Sequence, residues 1–239
     1  MATILEIAKT LLGEVDSSAN RNRVRLLPNK DAQVELATRA NSWKSSKTSD
    51  YSKRVALCKS IASQILEPDG FVFFHIDADR PWADFDSSEN VAQIGRLLLG
   101  PIRGHVARNL KVASESPKVD DKLQRLCFLI PCYSIESWLY QNIRVARSIC
   151  ERKHTHAIEA LRFDEWESDR GALDEVVKPK ENCCLGDCYN HELASNCFPS
   201  RDARSARKSF AATVDDLASR QALCEALARS KVVDWVSAG

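Results

Sequence analysis

Three carboxylates from two separate stretches, Asp77, Asp79 and Glu136, carry the chemistry this sequence offers most plainly. Carboxylates held close together repel, which raises a pKa and drives one of them to keep its proton. A hard divalent cation, Mg²⁺ or Mn²⁺, takes oxygen ligands and relieves that repulsion. With one or two such ions, or one ion and a general base, a site of this kind activates water and stabilises both the attacking and the leaving oxygen of a phosphodiester. Each acid also has a plainer use. Asp77 can cap a turn or helix, and Glu136 can begin a helix next to its positive end. It is the combination that points to a metal.

The elements that must position these acids are legible as patterns. Phe71-Val72-Phe73-Phe74 is apolar on both faces and reads as a strand covered by helices on both sides; it runs into His75-Ile76-Asp77-Ala78-Asp79-Arg80-Pro81-Trp82. A second such run, Leu126 to Cys132, leads through Tyr133-Ser134 into Ile135, Trp138, Leu139 and Ile143 at helical spacing. Between the two, Val91, Ile94, Leu97 and Leu98 make an amphipathic helix. Strand, helix and strand in that order predict a right-handed crossover with the two strands parallel, so their carboxyl ends open on one edge, where ligands of open α/β sheets bind. Neighbouring strands lie only about 4.8 Å apart, a spacing that suits carboxylates sharing an ion.

Upstream, Val55, Cys58, Ile61, Ala62, Ile65 and Leu66 predict a helix stopped by Pro68-Asp69-Gly70, preceded by a polar loop from Ser42 to Ser52. The opening is open to two readings. Ile4, Leu5, Ala8, Leu11 and Leu12 fit a helix, whereas Thr3 to Ile7 fits a short strand, and Val24 to Leu27 looks extended before Pro28-Asn29-Lys30. From about Arg152 the pattern changes to shorter polar segments and a cysteine-rich turn. Helical spacing then returns in Phe210, Val214, Leu217, Leu223, Ala226 and Leu227. The expected organisation is an α/β domain over 1–150 with a helical extension over 151–239 packed on it.

The segment FVFFHIDADRPW, followed at a distance by LCFLIPCYSIESWL, resembles the strand-DxD and later strand-loop-Glu elements of TOPRIM-type proteins, in the style of the OLD-family nucleases and the small RloB-like proteins. That resemblance covers roughly residues 3–145. It implies a TOPRIM-like Rossmannoid fold with a mostly parallel sheet, Mg²⁺-dependent chemistry on nucleic acid, and association with an ABC-type ATPase in phage defence or DNA repair. By carry-over, Asp77 and Asp79 match the metal-binding DxD, and Glu136 the later acid that serves as ligand or base. The family's first strand ends in Glu-Gly; here TILEIAKTLL offers Glu6 as the nearest catalytic candidate, without its glycine, and Glu14 and Glu67 further off. A chain lacking that first acid would instead be a non-catalytic TOPRIM-like module that binds a partner ATPase or a toxin.

Two further clusters invite a role. Cys183, Cys184, Cys188, His191 and Cys197 fall within fifteen residues, and Cys184, Cys188, His191 and Cys197 could supply four zinc ligands. The intervals are irregular and lack the paired Cys-x-x-Cys clips of recognisable zinc sites, and the other reading is a loop in which Cys184 and Cys197 pack as small apolar groups; Cys150, His154 and His156 lie upstream. Arg201, Arg204 and Lys208, with Arg207 alongside and Lys178 and Lys180 upstream, would line up cations on a helix to meet nucleic-acid phosphates, or form an ordinary solvated face. Tyr189, His191 and Phe198 could add stacking surfaces.

The totals exclude more than they identify. Lys and Arg number 34 against 33 Asp and Glu, so any phosphate-binding surface must be local. Hydrophobic residues at 44% and charged residues at 28% are ordinary for a globular chain. No run is long enough to span a membrane and the start lacks a secretory signal, which leads to the expectation of a cytoplasmic protein; nine cysteines, several in apolar stretches, fit free thiols there. A Gly-rich phosphate loop and a Gly-x-Ser-x-Gly elbow are both missing, which argues against an ATPase or a serine hydrolase.

Overall fold

Backbone pairing of β1 (Val72–His75) with β2 (Leu126–Leu129) is parallel, in register from Val72 opposite Leu126 to His75 opposite Leu129. The computed structural model describes residues 2–20, 24, 48–141, 143–153, 158–169, 173, 187–197, 200–205 and 207–229. Among these residues the sheet consists of the two strands alone, so the architecture is α/β with a helical majority. The expected parallel arrangement of the two buried runs is what the structure has.

Alternation along each strand divides the molecule into two cores. Val72, Ile76 and Leu126 belong to one, joined by half-buried Phe74, Phe128 and Ile130; Cys127 and Leu129 belong to the other, joined by Phe71 and Phe73. Phe74 and Phe128 are register partners, and their rings meet edge to face at 6.1 Å.

The first core is closed by α2 (Thr48–Leu66), α3 (Glu89–Ile94), a π-helical turn (Gly95–Leu99), α4 (Gly100–Leu110) and α5 (Pro117–Leu123). The predicted helix around Val91 to Leu98 is thus the start of a longer helical run, and α2 begins inside the stretch expected to be loop. The second core is closed by α1 (Ala2–Val15), α6 (Glu136–Leu139), α7 (Ile143–Lys153), α8 (Ile158–Ser168), α9 (Asp187–Cys197), α10 (Ser200–Ser205), α11 (Ser209–Ser219) and α12 (Gln221–Arg229). Of the two readings of the opening, the helix is the one formed: Ile7, Ala8, Leu11 and Leu12 are buried along one stripe of α1. Those residues share a core with helices from the far end of the chain. Among the described residues, no helix is long and apolar enough to cross a membrane.

The stop after α2 depends on a close approach. A Cβ added at Gly70 would lie 1.8 Å from the backbone oxygen of Gln64, a clash that only backbone movement relieves. Gly70→Ala is expected to destabilise the protein by about 1–3 kcal/mol, seen as a lower urea midpoint with an unchanged slope.

Cys58, Cys127 and Cys132 are buried free thiols. Burial pushes the Cys58 thiol up to about 11 against a weaker opposing pull from Arg54, and the Cys127 thiol up to about 12 against Arg220. An unburied thiol titrates near 9.0, so the unfolded chain releases these protons first as pH rises. Their contribution to stability is complete below pH 9 and is lost between pH 9 and about 12. Urea midpoints taken on either side of pH 9 should fall on the alkaline side, and fall less steeply in a Cys58→Ala/Cys127→Ala variant.

Candidate functional site

Pairing of the two segments does not end with the strands. Ile76 N–H donates to the Leu129 oxygen at 3.1 Å and Ala78 N–H to the Pro131 oxygen at 2.9 Å, so the chain through Asp77 still runs beside Pro131 as it leaves the sheet. The acidic loop and the approach to Glu136 therefore do share the carboxyl edge. Their carboxylates, however, are used in three different ways.

Asp79 anchors the start of α3. Its Oδ1 accepts from the Ser88 hydroxyl at 2.6 Å and from the Asn90 N–H at 3.3 Å, while Ser88 Oγ also accepts from the Val91 N–H as the helix cap. The Asn90 side chain donates to the Asp77 backbone oxygen at 2.7 Å, so one residue of α3 holds both ends of the Asp-x-Asp triplet. A negative charge at this helix start is also favourable electrostatically.

Asp77 faces His75, two residues earlier on the strand. Asp77 Oδ1 and His75 Nε2 stand 3.0 Å apart, within reach of an ion pair but not aligned for a hydrogen bond; both atoms are buried and lack a hydrogen-bond partner. The Asp77 side chain as a whole is 43% exposed, so solvent or a cation can reach its carboxylate. His75 was not among the residues singled out from the sequence; its spacing of two from Asp77 on a strand is the signal that identifies it.

Glu136 lies at the start of α6, only 2% exposed, and its Oε1 accepts from the Asn190 amide of α9 at 2.7 Å. The Tyr140 hydroxyl in turn donates to Asn190 Oδ1 at 3.3 Å. The chain reaches this position through a tight turn: the Ser134 N–H bonds back to the Cys132 oxygen, and Tyr133 takes a φ of 47°, a left-handed conformation costing a bulky residue roughly 1–2 kcal/mol. The hydroxyls of Ser134 and Ser137 are buried beside Glu136 without hydrogen-bond partners. Asn190 gave no local signal, since it stands 54 positions from its partner.

Glu6 sits on α1 and is ion-paired with Lys9 at 2.9 Å, so the expected first acid is carried by a helix rather than by a strand end. Among the described residues, no three His, Cys, Asp or Glu side chains form a group able to hold a metal ion. The donors are of the right chemical kind for Mg²⁺, and Asp77, with its side chain 43% exposed beside His75, is the carboxylate open to a cation. Glu136, held by Asn190, does not fit as a direct ligand in this arrangement.

Of the proposed zinc ligands, Cys184 lies outside the described residues, as do the side chains of Cys188 and Cys197. His191 is an exposed residue of α9, with its Nδ1 3.2 Å from Ser195 Oγ. Lys178, Lys180 and the Arg201 side chain also lie outside them. The basic stripe is not carried by one helix: α10 ends at Ser205, Arg207 takes a φ of 53°, and α11 starts at Ser209. Arg204 lies within 3.6 Å of Glu14 and 3.9 Å of Asp215.

No protein-family model, curated protein or solved structure matches this chain. Function therefore has to be argued from the site itself.

The Glu136–Asn190 pair makes a stability prediction. Asn190→Leu leaves a buried carboxylate without its donor and should cost about 1–3 kcal/mol in urea unfolding. Replacing both partners, Glu136→Leu with Asn190→Leu, should cost clearly less than the sum of the single changes, a coupling that a double-mutant cycle measures.

Proposed function

We propose that the chain is a Mg²⁺- or Mn²⁺-dependent nuclease, or a related phosphoryl-transfer subunit, acting on nucleic acid from the carboxyl edge of its parallel strands. The observation that carries this reading is Asp77, whose side chain is 43% exposed and whose Oδ1 meets only the poorly aligned imidazole of His75 among the described residues, on a loop whose second carboxylate is Asp79. Mg²⁺ is commonly held by one or two carboxylates, with waters and substrate phosphates completing its octahedron. Two aspartates on a loop pinned by Asn90 meet that need without a third protein ligand. The ion would supply charge neutralisation at the phosphate and a more acidic bound water. Asp77 would hold it, and Asp79 would serve both the ion and the start of α3. His75, 3.0 Å from Asp77 Oδ1, would be the group placed to move a proton. The TOPRIM-like resemblance supports the same chemistry and a role in phage defence.

A second reading has its own support. Glu6 is paired on a helix and Glu136 is buried against Asn190, so the two further acids of the resemblance are both engaged elsewhere. That favours a non-catalytic module binding a partner ATPase or a toxin.

Calorimetry with Mn²⁺ and cleavage of plasmid and single-stranded substrates separate the two. The nuclease reading expects Mn²⁺ binding and cleavage, both lost in Asp77→Asn/Asp79→Asn while the unfolding midpoint stays within a few degrees of wild type. Binding without cleavage, or neither, favours the interaction module.

A further inference from the structure

The orientation of α11 places its first turn at a definite end of the sheet. At its start, Ser209 Oγ accepts from the Trp138 indole at 2.7 Å, and the Phe210 ring meets Trp138 edge to face at 5.3 Å. Trp138 belongs to α6, which follows the carboxyl end of β2. Just past the other end of α11, Arg220 donates to the backbone oxygens of Gln124 and Leu126 at 2.9 and 3.2 Å, at the amino end of β2. Helix α11 thus runs antiparallel to β2, and its start lies towards the same end of the molecule as the Asp77–Asp79 loop.

At that start, Arg204, Arg207 and Lys208 line an open cleft of about 380 Å³, together with Ala211, Ala212 and Asp215. Three cationic side chains and one carboxylate, Asp215, line it, and Glu14 reaches Arg204 from outside the lining. The links of Arg204 to Glu14 and Asp215, at 3.6 and 3.9 Å, are long, and Arg207 makes no ion pair among the described residues. The left-handed backbone at Arg207, whose N–H bonds to the Arg204 oxygen at 3.1 Å, folds the junction so that residues 204, 207 and 208 face one space although no single helix carries them. Alanines at 211 and 212 keep the wall of the cleft low, so an anion of phosphate size can reach the cations.

We propose that this cleft binds a backbone phosphate of a nucleic-acid strand, holding the strand at the end of the sheet where the acidic loop lies. The choice of nucleic acid as the phosphate carrier rests on the proposed function above; the affinity for phosphate rests on the cleft alone. Arg207 becomes the central contact, flanked by Arg204 and Lys208. The contact is to phosphate and sequence-independent, so it positions a strand without selecting one.

The test is fluorescence anisotropy of a labelled single-stranded oligonucleotide with the full chain in EDTA, repeated over a series of salt concentrations, with inorganic phosphate and pyrophosphate as competitors. Arg207→Asn removes the charge with a residue that tolerates the left-handed backbone, Lys208→Ala removes a second, and Arg207→Lys restores the first. Each lost contact should weaken binding and lower the slope of log affinity against log salt by about 0.7, with Arg207→Lys recovering most of both. Binding is read in EDTA, without the ion that the catalytic reading requires, so failure of the catalytic reading and failure of this one are separable. Wild-type affinity and slope in Arg207→Asn/Lys208→Ala, with unfolding unchanged, would overturn the proposal. So would a wild-type chain that does not bind the oligonucleotide; phosphate binding by that chain in calorimetry would mark a site for free phosphate instead.

Discussion

Among the described residues, two strands of four residues each, paired in parallel, are the constraint on which the rest of this structure depends. A two-stranded sheet is marginal in water, and a parallel one is stable only with both faces covered. Here each face anchors a separate hydrophobic core. Because successive side chains alternate between faces, a slip of one residue in either strand would move that strand's side chains into the opposite cores. The register is therefore fixed by packing on both sides at once. The helices have no comparable alternative, since α2 to α5 and the helices from α6 onward, with α1, are each shaped to one face.

The same pairing explains why polar groups gather where they do. Past the strands the chain leaves its ladder, and every buried polar atom there needs a partner from elsewhere. Asp79 finds two donors at the start of α3, and Glu136 finds the Asn190 amide from α9. Asp77 is left with an imidazole at poor angle. Satisfaction is thus uneven along one edge, and Asp77, partly exposed and poorly matched to its imidazole, is where a cation or a substrate group can enter. The unpartnered hydroxyls of Ser134 and Ser137 stand in the same neighbourhood as Glu136.

What was legible in the sequence follows from the range of the interactions. The doubly buried strands at Phe71 and Leu126, the helix stopping before Gly70 and the apolar stripe of α1 are written in local periodicity. The Asp-x-Asp loop was legible for the same reason. The partners of those acids were not: Ser88 and Asn90 are 9 and 11 residues from Asp79, and Asn190 is 54 from Glu136. Periodicity also misjudged the basic segment, because spacings of three and four suggested one helix. The chain instead turns at Arg207 and starts a second helix, which changes which cations share a surface.

The Glu136–Asn190 bond has a consequence for how the edge and the far part of the chain depend on one another. Glu136 is buried at the first position of α6, and its donor comes from α9, a helix that also packs on α1. Withdrawing α9 would leave a carboxylate in an apolar setting beside Trp138 and Tyr140, a cost that scales with burial and not with the few contacts at the bond itself. The strained turn at Tyr133, directly upstream, persists only while the surroundings hold it. Trp138 is tied to α11 through Ser209, so the start of that helix answers to the same constraint. The carboxyl edge of the sheet is for these reasons not a loop resting on a finished core. Its geometry is set jointly by the strands and by helices that follow far later in the sequence, and any chemistry it performs depends on both.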